Sequence, residues 1–216
     1  MNKIDYYMSE LAIAMDKTSS AHIQPEFFDT DKTVLDIGGG IGHTLVAAQF
    51  FGQLNDAKLH VLDINTDALI YGKRNYNHIS FEYGFAESLP FECHTFDCIV
   101  SRVTLPLTDI SKSLDEIYRT LKPGGHVWLT MHPWSMVYVD IKKAWEKKDI
   151  NWLVMRLYVA INGLVFNLTG KQFKFMGRNE TWQSKSGMLK ALIKAKFKPE
   201  NIKISNNNFF VCEATK

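Results

Sequence analysis

Nothing in the chain constrains its fold more than the passage from Val34-Leu35-Asp36-Ile37 into Gly38-Gly39-Gly40-Ile41-Gly42. The apolar run from Thr33 to Ile37 stops at glycines, and a helix-forming stretch, Gly42 to Phe51, follows at once. That succession predicts a buried parallel strand, a tight loop and a helix. Glycine has no Cβ, so the loop lets backbone N–H groups come close to a ligand at the helix N-terminus.

The same rhythm runs on. Strands are expected over Lys58 to Leu62, Ile79 to Tyr83 and Phe96 to Ser101, with a helix over Asp67 to Tyr76. Ile110, Leu114, Ile117 and Leu121 mark a helical face that ends at the Lys122-Pro123-Gly124-Gly125 turn, and His126 to Met131 is a fifth strand. Upstream, Ile4, Met8, Leu11 and Met15 predict a helix over residues 3 to 16. Between Pro133 and Thr181 the alternation lapses. This stretch holds a charged helical segment (Ile141 to Lys148), an apolar run (Trp152 to Phe166) and the basic-aromatic patch Lys171 to Arg178. The rhythm returns with a helix from Ser184 to Lys196 and two strands, Ile202 to Ser205 and Phe209 to Glu213, around a hairpin turn at Asn206-Asn207-Asn208. Such alternation implies an α/β fold: a doubly wound, mainly parallel sheet of seven strands, a C-terminal antiparallel hairpin and a helical insertion after the fifth strand. At 216 residues the chain suits one domain.

Spacing separates two classes of ligand. A dinucleotide loop needs glycines at its first, third and sixth positions. Counted from Gly38 the sixth position is His43, so that pattern fails and a nicotinamide cofactor is disfavoured. The glycines fall instead at 38, 40 and 42, with Asp36 two residues before the first. A carboxylate there suits an ammonium group and would repel a pyrophosphate, which points to an amino-acid-bearing nucleotide. Asp63 closes the second strand, about where an acid that binds ribose is expected.

These features resemble the class I S-adenosylmethionine-dependent methyltransferases, in particular their small-molecule enzymes. The similarity runs from Thr33 to Met131. It includes Ala86-Glu87-Ser88-Leu89-Pro90-Phe91 after the third strand, Phe96-Asp97 opening the fourth, and Arg119-Thr120-Leu121-Lys122-Pro123-Gly124-Gly125 before the fifth. The resemblance implies a Rossmann-like fold that binds S-adenosylmethionine. Asp36 and the Gly38, Gly40 and Gly42 loop would hold its methionine portion, Asp63 its ribose hydroxyls, and Ile64 would pack on the adenine. The family commonly has Gly-Asp-Ala where this chain has Gly84-Phe85-Ala86, so Ala86, Glu87 or the backbone must meet the adenine amino group. Residues 1–30 would form an N-terminal helical lid and residues 133–181 a cap on the substrate side. Asp97 is read as structural, at the wrong end of its strand for a ligand.

The acceptor side is sparser. Many relatives carry histidines where Pro106 and Leu107 stand. Arg102 is a candidate to orient an anionic group, His132 a candidate base, and Tyr6, Tyr7 and Trp134 candidate walls of an acceptor pocket. Aromatic and aliphatic side chains in the cap favour a small, apolar acceptor, and the apolar run could instead bury itself in a homodimer. The competing function is a noncatalytic S-adenosylmethionine-binding scaffold. The formal net charge of +2 shows no basic stripe for nucleic acid. Arg156, Asn162 and Gly163 interrupt the apolar run, so no integral membrane segment is expected. Cys93, Cys98 and Cys212 lack zinc-site pairing and read as reduced thiols in the cytoplasm, and no metal is expected.

Overall fold

Five short runs of β-branched and apolar residues build the centre of the fold, the middle ones buried on both faces as parallel strands are. The computed structural model describes residues 3–206 and 209–216. Its strands are β1 (Thr33–Ile37), β2 (Lys58–Asp63), β3 (Ile79–Tyr83), β4 (Phe96–Arg102), β5 (Leu121–Thr130), β6 (Ile202–Asn206) and β7 (Phe210–Thr215). They form one sheet in the order β3-β2-β1-β4-β5-β7-β6. The first five run parallel, and β7 pairs antiparallel with both β5 and β6. The order reverses between β1 and β4, so their carboxyl ends open the crevice where ligands bind in such sheets.

The helices are α1 (Lys3–Met15), α2 (His43–Phe50), α3 (Thr66–Asn75), α4 (Ile110–Thr120), α5 (Trp134–Glu146), α6 (Ile150–Thr169) and α7 (Lys185–Lys194). One face of the sheet packs Leu114 and Ile117 of α4 and Met188 and Leu192 of α7 onto Ile99, Val127 and Leu129. The other packs Leu45 and Ala48 of α2 and Leu69 of α3 onto Val34, Val61 and Val100. The α4 N-terminus is fixed by Asp109, whose carboxylate accepts the Lys112 N–H. α1 lies over α2 and α3, with Leu11 buried against Ile41 and Ala68.

Three local expectations are corrected. The helix expected at Ile141 to Lys148 begins seven residues earlier, at Trp134, because Pro133 supplies an extended N-cap and Val137 and Ala144 give a buried face. Lys122-Pro123-Gly124-Gly125 is no separate turn. β5 already pairs at Leu121 with Phe96, and the ladder shifts register before Cys98 meets His126. There Gly124 and Gly125 exchange backbone bonds with Lys216. Of the hairpin turn, Asn206 ends β6, while Asn207 and Asn208 lie outside the described residues.

Candidate active site

The glycine loop connects β1 to α2 at the switch point. Gly38 and Gly40 adopt left-handed backbone, φ 73° and 56°. A Cβ on Gly38 would fall 1.9 Å from Thr104 Oγ1, and one on Gly40 2.3 Å from the Tyr7 ring. Gly42 is left-handed as well, φ 87°, and a Cβ there would stand 3.2 Å from the Phe81 ring. Gly38→Ala combines left-handed strain with overpacking and is expected to cost about 2–4 kcal/mol, a fall of several degrees in a thermal melt.

Beneath the loop lies Asp36. Its carboxyl group is fully buried, and neither oxygen has a hydrogen-bond partner of good geometry. Gly39 covers it so closely that a Cβ there would stand 2.6 Å from Oδ2. Burial pushes the Asp36 pKa up to about 7, and the charge of Asp63 pushes the same way; the nearby Thr44 hydroxyl and Arg102 oppose the rise. Asp63 is the better satisfied acid. Its Oδ2 accepts the Gly40 N–H and its Oδ1 the Asn65 N–H, both at 2.8 Å. A carboxylate offers about four lone-pair sites, so two remain for a ligand.

A cavity of about 740 Å³ opens over these acids. It brings together Tyr6 and Tyr7 from α1, Gly38 and Asp63 from the sheet edge, Ile64, Ala86 and Glu87 from the loops after β2 and β3, and Arg102 and His132 from the ends of β4 and β5. Asp36, Gly40 and Gly42 do not line it, being covered by the loop, Tyr7 and α2. Trp134 borders a second cavity, of about 640 Å³, together with Ile23, Met131 and Phe210. Arg102, Val103, His132, Met136 and Phe209 line both cavities. Trp134 packs edge-on against Trp182.

Charge inside is arranged around Arg102. Its Nη2 pairs with Glu10 of α1 at 3.1 Å, while its Nη1 is buried without a partner. Glu87 commits Oε1 to the Asp109 N–H at the start of α4. The His132 N–H donates to the Gln183 side-chain Oε1 and its carbonyl accepts the Gln183 N–H, while the residue lines both cavities. Burial holds its pKa below 6.5, so the ring is neutral at pH 7. Three residues that line the cavity are not among the candidates drawn from the sequence. His43 lines the floor with Nδ1 buried and unpartnered, and burial followed by Arg102 pushes its pKa down to about 4. Ile64 was expected, but Phe85 joins it as a second exposed apolar wall. Thr104 closes on the loop from the β4 side.

At the opposite end of the sheet, Asp97 accepts the Thr33 N–H and pairs with Lys122 at 2.9 Å, which is a structural role. Near it Asp31, Cys98 and His126 bring one donor atom each within 4.8 Å of one another. Burial, reinforced by neighbouring carboxylates, holds the Cys98 thiol neutral, and the Asp31 carboxylate faces the His126 ring at 3.6 Å.

Residues 34–125 match the Methyltransferase domain family. The ubiquinone/menaquinone biosynthesis C-methyltransferase of Enterobacter sp. strain 638 is 31% identical over 170 residues, which cover 75% of this chain and 64% of the relative. The same-named protein of Escherichia coli K12 / DH10B is 38% identical over 104 residues, 44% of this chain and 41% of its own. The chain thus spans less than two-thirds of the length of these relatives. In structure, a SAM-dependent methyltransferase from Thermotoga maritima matches 100% of this chain and 95% of its own with a TM-score of 0.61 at 17% identity. A protein from Pyrococcus horikoshii OT3 matches 97% and 90% with a TM-score of 0.60, also at 17% identity. Sheet order and glycine loop together define a Rossmann-like methyltransferase fold. Residues 34–125 thus carry a Methyltransferase domain, on a fold shared with S-adenosylmethionine-dependent methyltransferases.

Proposed function

We propose that this chain transfers a methyl group from S-adenosylmethionine to a small, largely apolar acceptor by in-line displacement. The observation that carries this reading is the orphaned Asp36 carboxyl group beneath a glycine loop at the switch point of the sheet. A buried polar group without a partner is costly, and a ligand ammonium relieves that cost. The residues fit the cofactor: the loop for the amino-acid end, with the Asp36 carboxyl group acting on its ammonium from beneath, the free lone pairs of Asp63 for the ribose, and Ile64, Phe85 and Ala86 for the base. When bound, S-adenosylmethionine supplies a methyl group made electrophilic by its cationic sulfur.

The chain's own residues then position the acceptor, which can account for about 7–11 kcal/mol of barrier reduction. The second cavity, walled by Trp134, Met131 and Phe210, suits a planar apolar body. Arg102 Nη1 offers a donor to an acceptor oxygen, and neutral His132 accepts the proton that the nucleophile releases. The curated relatives, named for C-methylation in quinone biosynthesis, support a carbon nucleophile on a ring that bears oxygen. Three free cysteines accord with a reducing compartment such as the cytoplasm.

Calorimetric titration with S-adenosylmethionine, followed by labelled methyl transfer to a panel of phenols, quinols and amines, tests the reading. Micromolar binding with product supports it. Tight binding of a nicotinamide dinucleotide, or cofactor binding with no product from any acceptor, overturns it; the latter leaves the scaffold. His132→Gln is expected to lower kcat about a hundredfold, within the span of general-base effects. Because its pKa lies below 6.5, the acid limb of the wild-type rate profile falls below that pH and disappears in the variant.

A further inference from the structure

The outer face of α6 stands uncovered. Ile150, Val154, Leu157, Ile161, Leu164 and Leu168 recur at steps of four and three, which sets them on one side of the helix. Each is 45–74% exposed. The opposite side buries Tyr158, Val159, Asn162, Gly163 and Phe166. It also holds Arg156, paired with Glu180 at 2.8 Å and Asp140 at 3.5 Å. By length and composition these 20 residues could cross a bilayer. A paired arginine and a face packed on the domain instead keep the helix lying along the surface. Tyr138 and Trp145 of α5 add exposed aromatic rings of the kind that settle at membrane interfaces.

Charge decides what covers this face. Residues 133–181 contain eight Lys and Arg against four Asp and Glu, a net +4 where the whole chain has +2. The excess brackets α6. Lys142, Lys143, Lys147 and Lys148 precede it, with Glu146 and Asp149 among them, and Lys171, Lys174 and Arg178 follow it. Two copies packed through α6 would set basic end against basic end whether the helices ran parallel or antiparallel, and like charges so juxtaposed oppose association. We propose that this face docks on an anionic phospholipid surface, with α6 in the plane of the headgroups, its apolar side chains in the acyl boundary and the flanking lysines on lipid phosphates. The second cavity opens at Trp134 and Met136, in the first turn of α5. A membrane-dissolved acceptor would therefore have a short route in. That corollary rests on the methyltransferase reading, whereas the docking does not.

Co-sedimentation of the whole chain with phosphatidylcholine vesicles, with and without phosphatidylglycerol, tests the docking. Binding is expected only with the anionic lipid, and weaker at high salt. Lys171→Gln and Lys174→Gln, both exposed, should each lower the partition about fivefold. Leu157→Ser with Leu164→Ser should abolish it while thermal melting and S-adenosylmethionine binding stay unchanged. Failure to bind either vesicle overturns the proposal. So does a dimer in light scattering that vesicles leave intact, because a second copy then covers the face.

Discussion

Replacing Asp36 by asparagine is expected to raise the melting temperature of the ligand-free protein above pH 7 and, in the same variant, to remove its affinity for S-adenosylmethionine. The first effect follows from linkage. The folded-state pKa of about 7 exceeds the ordinary 3.8. Between those values the folded state holds a proton that the unfolded state has lost, so stability falls as pH rises through the window. Above it, the wild type carries the whole shift, on the order of a few kcal/mol. Asparagine removes that charge, although its amide must still be accommodated, so the gain is a part of the shift. The second effect is larger. Truncating one partner of a desolvated charge pair costs about 2–5 kcal/mol, roughly 30- to 5,000-fold in Kd.

His43 sharpens the test. Its folded-state pKa of about 4 lies below the ordinary 6.5, so its contribution to stability rises with pH across that interval. Asp36 slopes the other way over nearly the same range, and in the wild type the two oppose each other. In Asp36→Asn the His43 slope is no longer opposed by Asp36. Melting scans of the variant should therefore show stability falling as pH drops below 6.5, more steeply than in the wild type. A variant that melts lower than wild type at alkaline pH and still binds the cofactor would make Asp36 a cap for the glycine turn and nothing more.

The legible parts of this fold were the ones written in adjacent residues. β1, the glycine loop and α2 follow one another without interruption, and the right-handed crossover rule carries such units into a parallel sheet. Asp36 and Asp63 could be picked out because each ends or precedes a loop at a strand's carboxyl end. What stayed hidden depends on residues far apart in sequence. Arg102 meets Glu10 across 92 positions, and Asp31 before β1 converges with Cys98 and His126, a facing pair inside β4 and β5. Neither spacing carries a signal. His43 enters the sequence reading only as the position that breaks a dinucleotide pattern, because nothing local tells that its Nδ1 is buried without a partner. The expected start of α5 was displaced because its lysines crowd its second half, while the buried Val137 and Ala144 fix its true register.

Asp63→Ala is expected to weaken S-adenosylmethionine binding about a hundredfold and to destabilise the protein as well, and the two losses have separable origins. The carboxylate accepts N–H groups from both Gly40 and Asn65. Its removal orphans two donors at about 1–3 kcal/mol each, which loosens the loop that cradles the ligand. A weaker complex alone would therefore say nothing about the ribose. The distinction comes from pairing the variant with a cofactor analogue that lacks the 2′-hydroxyl, as a double-mutant cycle. If Asp63 holds the ribose, the wild type loses about tenfold in affinity on removal of the hydroxyl, the net worth of one hydrogen bond to a charged group, and the variant loses nothing further. If Asp63 only braces the loop, the missing hydroxyl costs both proteins equally, and the ribose is held by some other group at the cavity edge. Asp63→Asn grades the result: its single carbonyl oxygen keeps one backbone donor satisfied, so its melting temperature should lie between those of the wild type and Asp63→Ala.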